Sequence, residues 1–549
     1  MTRTVKVAVI GSGLAGLTAG YSLSTSGSLA CHDLQFEIHV FEKSSTLGMD
    51  SSSISIPVPG NENEWRVDVP MRSFQGGYYP QLIALYKHLG VKFRKTDFSY
   101  SFSSISGVPK TKGRRITASM IYNGRSGLAG VSMTSAMRSQ YENAPFILRP
   151  FTRLWTTVIF ALEAFRLLLC YLWLLVLSIP IFRFSNTAHM AYSTWAKRSV
   201  PAGFIARGLG LDLAWENFTN EVLLALFSGL CTCSFDDVLR HPVEELLDYV
   251  WLTLGTHHYA AKDGVRDIVS RLSSPIQHIH LSSPISSLRP DPSNPSLAAI
   301  HSLTDEGEKI HSGFHHVIIA TQGNNAVPIL ESYALSLSSD TPKRHVLLLQ
   351  RLIECTRKVN YRTSVVINHT DGSPVPDDHR DRRDLNFISP DLDFAASSSS
   401  DVKDGKWTRC LPPTCTMTTH CLPRPSGFPH HLPPIYQTTN PIVEMREERI
   451  LSESRLQRAV LSMDFKQALR GIHLEPGRRW WQCAGQANGQ LGPLQGAGRL
   501  EDSSSPGIWL CGSYASSGIP LLEGCVTSAR NVVKQGICAS EKVELRIPW

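Results

Sequence analysis

Regularly spaced cysteines are missing from this 549-residue chain, although it contains twelve cysteines. Cys231 and Cys233 lie two positions apart, and Cys410, Cys415 and Cys421 lie in a proline-rich stretch. A structural zinc site typically shows two CxxC-like pairs, so this spacing predicts no metal site. We expect reduced thiols, which are typical of a cytosolic protein.

Long runs of lysine and arginine are also missing, and the net charge is only +7. We therefore expect no nucleic-acid partner. The sequence contains no HExxH, no Ser-His-Asp order and no phosphate-transfer motif. We expect no signal peptide, because the first apolar stretch runs directly into a glycine-rich motif.

This motif lies in VKVAVIGSGLAG at residues 5–16, where an apolar strand precedes G-x-G-x-x-G. Gly11 fits a tight turn, Gly13 allows a pyrophosphate to approach, and Gly16 allows the next helix to pack closely on the strand. The predicted phosphate-binding turn comprises Gly11, Ser12, Gly13, Leu14, Ala15 and Gly16.

The second strand of the predicted unit ends in HVFEK, with Glu42 and Lys43 at its tip. A carboxylate at this place accepts hydrogen bonds from ribose hydroxyls and repels a 2′-phosphate. The residues therefore predict binding of FAD or NAD rather than NADP. Near the other end of the chain, residues 508–529 form an apolar strand and a glycine-rich turn into a helix. We therefore expect the N-terminal motif and residues 508–529 to form two halves of one cofactor-binding site.

The stretches RVDVPMRSFQGGYYPQL at 66–82, YAAKDGVRDIVSRL at 259–272 and HHVIIAT at 315–321 are similar to the flavin amine oxidase superfamily. Within it, the chain resembles the amine oxidase-like predicted NAD/FAD-binding proteins over nearly its whole length. The resemblance implies FAD as the cofactor. It also implies cofactor contacts at Ile285, Thr321, Gly512, Ser513, Glu523 and Gly524. The helix that opens at Glu523 would stabilise the reduced, anionic flavin through its dipole.

Two positions depart from the family pattern. Gly48-Met49 replaces the usual pair of glycines after the acid, which predicts an altered loop over the pyrophosphate. Ser513 replaces the usual acid after Gly512 and removes a typical polar contact to the ribityl or phosphate. We expect FAD to bind with lower affinity than is typical of the family.

The resemblance implies an α/β protein with a Rossmann-type FAD-binding domain, whose parallel sheet is discontinuous in sequence. An inserted α+β substrate domain with an apolar helical segment would complete it. We predict FAD-binding parts at 1–75, 256–330 and 478–549, and substrate-domain parts at 76–255 and 331–477, the latter loop-rich at 369–435.

Residues 154–182 are strongly apolar, and the sixteen residues 167–182 carry no charge. That run is shorter than the roughly twenty residues of a membrane span. A single crossing would also separate residues 1–150 from 510–549, which must assemble one site. The alternatives are a monotopic helix broken at Pro180, the lining of an apolar tunnel or core, and a true span. We expect membrane association on the cytoplasmic side and an apolar small-molecule substrate.

Flavin chemistry requires a substrate C–H aimed at N5, a dry pocket and sometimes one base. Superfamily amine oxidases place aromatic rings beside the substrate amine, so the resemblance implies a cage of Trp480, Trp481 and Tyr514. Cys483 lies roughly where some members tether FAD covalently. Candidate bases are His420, His430 and His431.

These observations predict a FAD-dependent dehydrogenase, oxidase or desaturase that acts on a lipid, polyketide or isoprenoid by hydride transfer to N5. Three alternatives stay open: a redox-neutral flavin isomerase of double bonds, an amine oxidase, and a non-catalytic FAD-binding membrane adaptor. Peroxide formation, isomerised product without oxygen consumption, and a flavin that is never reduced would distinguish them.

Overall fold

The computed structural model describes residues 3–26, 34–58, 64–107, 113–398, 409–425, 428–429, 431–475, 481–483, 489–544 and 547–549. The strands are β1 (Arg3–Ile10), β2 (Leu34–Phe41), β3 (Ile54–Pro57), β4 (Glu64–Val67), β5 (Phe74–Gln75), β6 (Phe93–Lys95), β7 (Tyr100–Ser106), β8 (Arg115–Tyr122), β9 (Val131–Ser132), β10 (His258–Ala261), β11 (His278–His280), β12 (Ile285–Pro290), β13 (Ala298–Thr304), β14 (Gly307–Phe314), β15 (His316–Ile319), β16 (Asn360–His369), β17 (Leu385–Pro390), β18 (Met417–Cys421), β19 (Tyr436–Thr439), β20 (Ile450–Val460), β21 (His473–Leu474), β22 (Gln490–Leu491) and β23 (Gly507–Leu510).

The α-helices are α1 (Leu14–Ser26), α2 (Pro80–His88), α3 (Ser135–Glu142), α4 (Arg149–Ser178), α5 (Tyr192–Arg198), α6 (Phe204–Gly208), α7 (Leu211–Asn217), α8 (Leu224–Cys231), α9 (Phe235–Arg240), α10 (Val243–Thr253), α11 (Gly264–Ser273), α12 (Gly323–Leu335), α13 (Lys343–Arg357), α14 (Leu392–Ser398), α15 (Met463–Leu469), α16 (Leu522–Asn531) and α17 (Cys538–Ser540). π-Helical turns at Phe218–Leu223 and Val532–Ile537 join α7 to α8 and α16 to α17.

A parallel five-stranded sheet with the order β11-β2-β1-β15-β23 carries the N-terminal motif. Its strands come from three distant parts of the chain, because β1 pairs with β15 and β15 pairs with β23. Strand β1 is buried on both sides, as its apolar run requires in a covered parallel sheet. The predicted fold class, a Rossmann-type parallel sheet that is discontinuous in sequence, is therefore confirmed. The domain boundaries stay a prediction.

Alternate side chains of β1 feed two separate cores. Val5, Val7 and Val9 pack on one face with α1, α2 and α16. Ala8 and Ile10 pack on the other face with α12 and α13. This alternation follows from the two-residue period of a strand. It leaves the carboxyl edge of the sheet as the place where both layers meet.

A second sheet of eight strands has the order β20-β16-β19-β18-β17-β7-β8-β9. Residues 369–435 were predicted to be rich in loops, yet they supply β17 and β18 near the middle of this sheet. Asn386 and Phe387 lie in β17, and residues 417–420 lie in β18. Helices α4, α5, α7, α8, α9 and α10 share a third core.

The apolar segment forms α4, which extends farther towards the N-terminus than the predicted 154–182. It ends before Pro180 with Ile179 in an extended conformation, as expected for the residue before a proline. By length and composition this helix could cross a membrane, and 11% of its most apolar 18-residue window is buried. Glu163 and Arg166 form an ion pair of 2.7 Å on its surface.

A buried hydrogen-bond chain fixes the amino edge of the parallel sheet. His316 opens β15, accepts from Trp509 Nε1 at Nδ1 (3.2 Å) and faces Glu541 Oε1 through Nε2 (3.0 Å). Arg499 also donates to Glu541 (3.1 Å). Burial lowers the pKa of His316 to about 4, so the ring is neutral near pH 7. Arg499 and Arg3 then supply the positive charge beside Glu541.

We expect Glu541→Gln to lower the free energy of unfolding at pH 7 by about 2–3 kcal/mol, because the substitution leaves the buried guanidinium of Arg499 without its carboxylate. Burial by itself raises the pKa of Glu541, but the hydrogen bonds and charges of its partners lower it from 4.5 to about 2. The stabilisation is therefore complete above pH 4.5 and is lost as the pH falls towards 2.

Urea titrations at several pH values measure this prediction. The difference in the free energy of unfolding between the wild type and Glu541→Gln should shrink steadily below pH 4.5. The exposed Glu501, which pairs with Arg344 at the surface, provides the matched control, and Glu501→Gln should change stability by less than about 1 kcal/mol. Equal effects of the two substitutions would contradict the prediction.

Candidate functional site

The turn after β1 is built for close backbone approach. Gly11 has a φ of +102°, and a Cβ at Gly16 would lie 2.0 Å from the Gly11 carbonyl oxygen. A side chain at either position would strain or separate the strand and α1. At Gly13, by contrast, an added Cβ meets no atom within 4 Å. Leu14 and Ala15 are buried in the core beneath α1. The turn thus leaves open space above Gly13, at the N-terminus of α1.

The carboxylate of Glu42 joins this turn to the tip of β2. Ser12 donates to Glu42 Oε2 through its backbone N (3.0 Å) and its Oγ (2.6 Å). Ser44 N donates to Oε1 (3.0 Å). Glu42 is buried, whereas the following Lys43 is exposed. The buried carboxylate keeps free lone pairs for a further donor, such as a ribose hydroxyl.

The Gly48-Met49 pair closes the loop over the turn. Gly48 N donates to Ser12 Oγ (2.8 Å), and a Cβ at Gly48 would lie 3.1 Å from Gly13 N. The side chain of Met49 is buried in the core under the loop. One glycine therefore suffices at the close contact, and methionine takes the second position by pointing inward.

Residues from the middle and the end of the chain reach the same sheet edge. Ala320 N donates to Ile10 O (2.8 Å), which places Thr321 beside Gly11. Gly512 N donates to the Oγ of Ser528 on α16 (2.9 Å). A Cβ at Gly524 would lie 2.7 Å from the Ser513 carbonyl oxygen. Thr321, Gly512, Ser513 and Gly524 thus gather near the turn after β1.

The segment before Ile285 runs alongside Glu42. Ser283 N donates to Glu42 O (2.8 Å), Ser282 N donates to Ser44 O (2.9 Å), and Glu42 N donates to His280 O (2.8 Å). Ile285 then begins β12 and packs against the second core. The structure therefore brings Ile285 to the side of the site where Glu42 lies.

The side chain of Glu523 makes a contact that the sequence analysis did not predict, and its contact with the cofactor stays a prediction. Its carboxylate accepts from Gln81 N (2.9 Å) and Leu82 N (3.0 Å), which are free N–H groups in the first turn of α2. Burial raises the pKa of Glu523 to about 7 in spite of these two donors. The side chain caps α2 from a neighbouring element, a contact that no local sequence pattern reveals.

The sequence analysis missed two partly buried arginines, each with a buried Nε atom. Arg72 follows β4 and donates weakly to Met49 O (3.5 Å), and its Nε has no partner. Arg458 lies on the inward-facing side of β20, and its Nε also has no partner. Burial lowers the pKa of both groups, and that of Arg458 falls only to about 10, so Arg458 stays charged at neutral pH. An arginine at an inward position of the alternating β20 pattern was the available signal.

These arginines test whether the site fits an anionic dinucleotide. A buried guanidinium N–H without an acceptor lowers the stability of the folded protein unless an anion binds to it. Arg458 shares a small cleft with Pro520 and Leu521 just before α16, and Arg72 contacts the loop that closes over Ser12. The charge, the open space above Gly13 and the acid at the β2 tip together fit an FAD-like ligand.

A cavity of about 630 Å³ lies between the eight-stranded sheet and the third core. Its wall is mainly aromatic and aliphatic, with rings such as Tyr100, Phe102, Tyr249 and Phe387. One stripe of α4 forms part of this wall through Ala164, Leu167, Leu168, Tyr171 and Leu174. Helix α4 therefore lines a cavity, as one of the three sequence alternatives proposed.

The cavity extends to the nucleotide side of the molecule. Tyr79 lines it and immediately precedes α2, the helix that Glu523 caps. Leu230 lines both the cavity and the small cleft that contains Arg458. The cavity and the cleft before α16 are therefore separated by no more than the thickness of this leucine.

Charged groups are scarce on the cavity wall. Among the described residues that line it, Asp97 is the sole carboxylate, and it accepts from His257 Nδ1 (2.6 Å) and His258 N (3.1 Å). Burial lowers the pKa of the neighbouring His258 to about 4, so that ring is neutral near pH 7. The wall is suited to an apolar ligand with few polar atoms.

The predicted aromatic cage is not assembled on this wall. Trp481 is 48% exposed, and Tyr514 is buried in the second core with Thr321 and Gly512 close by. Neither residue lines the cavity. Trp480 lies outside the described residues. Cys483 interacts with Asp248, which lies on α10, and with Arg183, which follows α4.

Neither His420 nor His431 lines the cavity, although the ring of His420 packs against Phe98 of its wall. His420 is buried in β18, and burial lowers the pKa of its ring to about 4. His431 lies in a loop, and His430 lies outside the described residues.

A separate group, Glu37, His39 and His278, brings one ligand atom from each residue within 4.8 Å of the others at the edge strand β11. His39 already contacts Glu37 (2.7 Å), and the absence of a metal stays a prediction.

Residues 9–89 match the model of the NAD(P)-binding Rossmann-like domain. Among solved structures, the chain is similar to an oxidoreductase from Methanosarcina mazei, with 12% identity, a TM-score of 0.47, and coverage of 96% of this chain and 99% of that one. It is similar to cyclohexylamine oxidase from Brevibacterium oxydans IH-35A, with 11% identity, a TM-score of 0.46, and coverage of 98% and 99%.

A putrescine oxidase variant redesigned in cofactor binding shows 12% identity, a TM-score of 0.45, and coverage of 98% of this chain and 100% of that one. No curated protein matches the chain in sequence. The activities in these names belong to those proteins. For this chain, the match over 9–89 and the parallel sheet place a Rossmann-like nucleotide-binding domain around the turn after β1.

Proposed function

We propose that this protein is a FAD-dependent oxidoreductase that acts on an apolar small molecule such as a lipid, polyketide or isoprenoid. The observation that carries the proposal is the adjacency of two sites. A dinucleotide-type site, with two arginines whose buried Nε atoms have no acceptor among the described residues, lies against a large apolar cavity. Such a pair of sites is what a flavin enzyme needs to bring a substrate C–H to its cofactor.

Named residues would hold the cofactor. The turn from Gly11 to Gly16 would receive the pyrophosphate at the N-terminus of α1, and Glu42 would accept from the ribose hydroxyls. Arg72 and Arg458 would neutralise negative charge on the ligand. When bound, FAD would supply the acceptor for a hydride from the substrate.

The protein residues contribute a dry, oriented binding space. Rings such as Tyr100, Tyr249 and Phe387 would hold an apolar chain by burial of its surface, without charged anchors. Asp97 is held by His257 and the backbone of His258, so it is not a mobile base. A hydride transfer from an allylic C–H in a water-excluding cavity fits this wall better than chemistry that relies on a charged side chain.

An absorbance spectrum of the purified protein, before and after denaturation and filtration, tests the cofactor. A yellow filtrate with FAD peaks supports the proposal, and a colourless protein that takes up no added FAD refutes it. Anaerobic reduction of the flavin by long-chain apolar compounds, measured against a matched series of primary amines, then tests the substrate class. Reduction by amines alone would favour an amine oxidase, and product isomerisation without net flavin reduction would favour an isomerase.

We expect Gly13→Glu to abolish FAD binding, with a dissociation constant raised at least about 100-fold, because the new carboxylate fills and charges the space meant for phosphate. The apoprotein should still fold, since a Cβ at Gly13 meets no atom within 4 Å. Flavin fluorescence titration measures the loss. Gly372 is another glycine with open space around it, and Gly372→Glu should bind FAD as the wild type does. Full flavin occupancy in Gly13→Glu would refute the site.

We expect Arg458→Met to have opposite effects on the apoprotein and the holoprotein. Removal of a partly buried charge whose Nε has no acceptor should raise the free energy of unfolding of the apoprotein by about 1 kcal/mol. Loss of a charge-assisted contact should weaken FAD binding by about 10-fold to 100-fold. Thermal unfolding with and without FAD measures both effects. Arg455→Met, at an exposed position of β20, should change neither. Destabilisation of the Arg458→Met apoprotein would contradict the assignment.

A further inference from the structure

One side of α4 is a broad apolar surface that no described residue covers. Its exposed side chains on α4 include Phe151, Trp155, Leu162, Phe165, Leu172 and Val176. We call these residues, together with the apolar part of 204–213 described next, the apolar face. An exposed patch of this extent on a protein marks an interaction surface.

The apolar face continues from α4 onto α6 and α7. Phe204, Ile205, Leu209 and Leu213 are exposed, the first of them 93%. Arg166 Nε donates to Leu209 O (2.9 Å), which holds this segment against the middle of α4. The same Arg166 pairs with Glu163, so the centre of the face carries no net charge.

Basic side chains border the apolar face at both ends. Arg149 and Arg153 are exposed in the first turns of α4. Lys197 and Arg198 are exposed near its other end, where Trp173 Nε1 donates to Ser199 O (2.9 Å), and Arg207 is exposed on α6. Arg183 does not belong to this border, because it is buried and pairs with Asp248 (2.5 Å). An apolar surface with a basic border suits an anionic lipid headgroup layer.

The opposite side of α4 rules out a position across the bilayer. Cys170, Leu174 and Leu177 are buried against the third core, and other residues of that side line the cavity. A spanning helix would have to leave these contacts and expose them to lipid. With α4 about 45 Å long and packed along the body of the protein, one face can enter a single leaflet while the other stays in the protein.

The mouth of the cavity opens beside the apolar face. Leu168 and Tyr171 line the cavity and are also 51% and 41% exposed. Gly127 and Gly130, across the opening, are exposed and have no atom within 4 Å of an added Cβ. An apolar molecule in the leaflet would therefore reach the cavity without passing through water.

We propose that the apolar face lies in one leaflet of an anionic bilayer and that the substrate enters the cavity from that leaflet, past Leu168 and Tyr171. The proposal rests on the proposed function for the identity of the cavity as a substrate site. It assigns the substrate to molecules that partition into membranes, and it commits the exposed face to lipid rather than to a protein partner.

Flotation with phosphatidylcholine vesicles, with and without phosphatidylserine, tests the docking. The wild type should float, and more strongly with phosphatidylserine. The triple variant Trp155→Glu, Leu162→Glu, Phe165→Glu should bind at least about ten-fold more weakly, because three charges enter the face. Its matched control is Leu303→Glu, Ile310→Glu, Leu335→Glu, three exposed apolar residues elsewhere, which should float like the wild type. A wild type that stays soluble at both compositions, or a triple variant that floats unchanged, overturns the docking.

Transfer of a pyrene-labelled long-chain alcohol from vesicles that contain a nitroxide quencher tests the route. The wild type should restore pyrene fluorescence, and the triple variant should not, although it still takes up the probe from ethanol. Leu168→Asp should float normally but slow the transfer at least about ten-fold, because a charge stands in the mouth. Transfer by Leu168→Asp at the wild-type rate overturns the route. Flotation by a protein that binds no FAD would refute the proposed function and leave the docking supported.

Discussion

The hydrogen bonds that Glu42 accepts are the constraint on which the nucleotide site depends. One buried carboxylate fixes the turn after β1 through Ser12, and Ser12 in turn holds Gly48 in the loop above. The turn after β1 and the loop at Gly48 are therefore held at a fixed separation, and the space over Gly13 stays open. Because the parallel sheet puts the ends of β1, β2, β15 and β23 on one edge, residues far apart in sequence add to this space without rearranging it.

Charge is distributed unequally over the two halves of the site. On the nucleotide side, the buried Nε atoms of Arg72 and Arg458 have no acceptor among the described residues, so this side carries positive charge. On the cavity side, the described wall carries a single carboxylate, Asp97, which already accepts two hydrogen bonds. The nucleotide side therefore suits an anionic ligand, and the cavity wall suits an apolar one.

The two faces of helix α4 lie in different environments. Its inner stripe, with Leu167 and Leu174, belongs to the cavity wall and the third core, and its outer face carries aromatic and aliphatic side chains into solvent. A helix that is apolar all round must find apolar contacts on every side. The protein meets this need on one side only, which is the physical basis for placing the other side in a leaflet.

The sequence by itself determined the local features. The glycine spacing from Gly11 to Gly16, the acid at the end of β2 and the helix that ends before Pro180 follow from short-range sterics and hydrogen bonding, which neighbouring residues encode. The parallel sheet followed from the same motif and from its likeness to known chains. The strands within 369–435 were read as loop, because their pairing partners lie elsewhere in the chain.

Tertiary structure alone decided the contacts between distant elements. Glu523 caps α2 although the two lie more than 400 positions apart in the sequence. Arg458 faces inward, where its Nε has no acceptor, and Tyr514 packs in the second core and not on the cavity wall. Which face of α4 is covered also depends on the third core. Such placements arise from the packing of whole elements, and no window of sequence contains both partners.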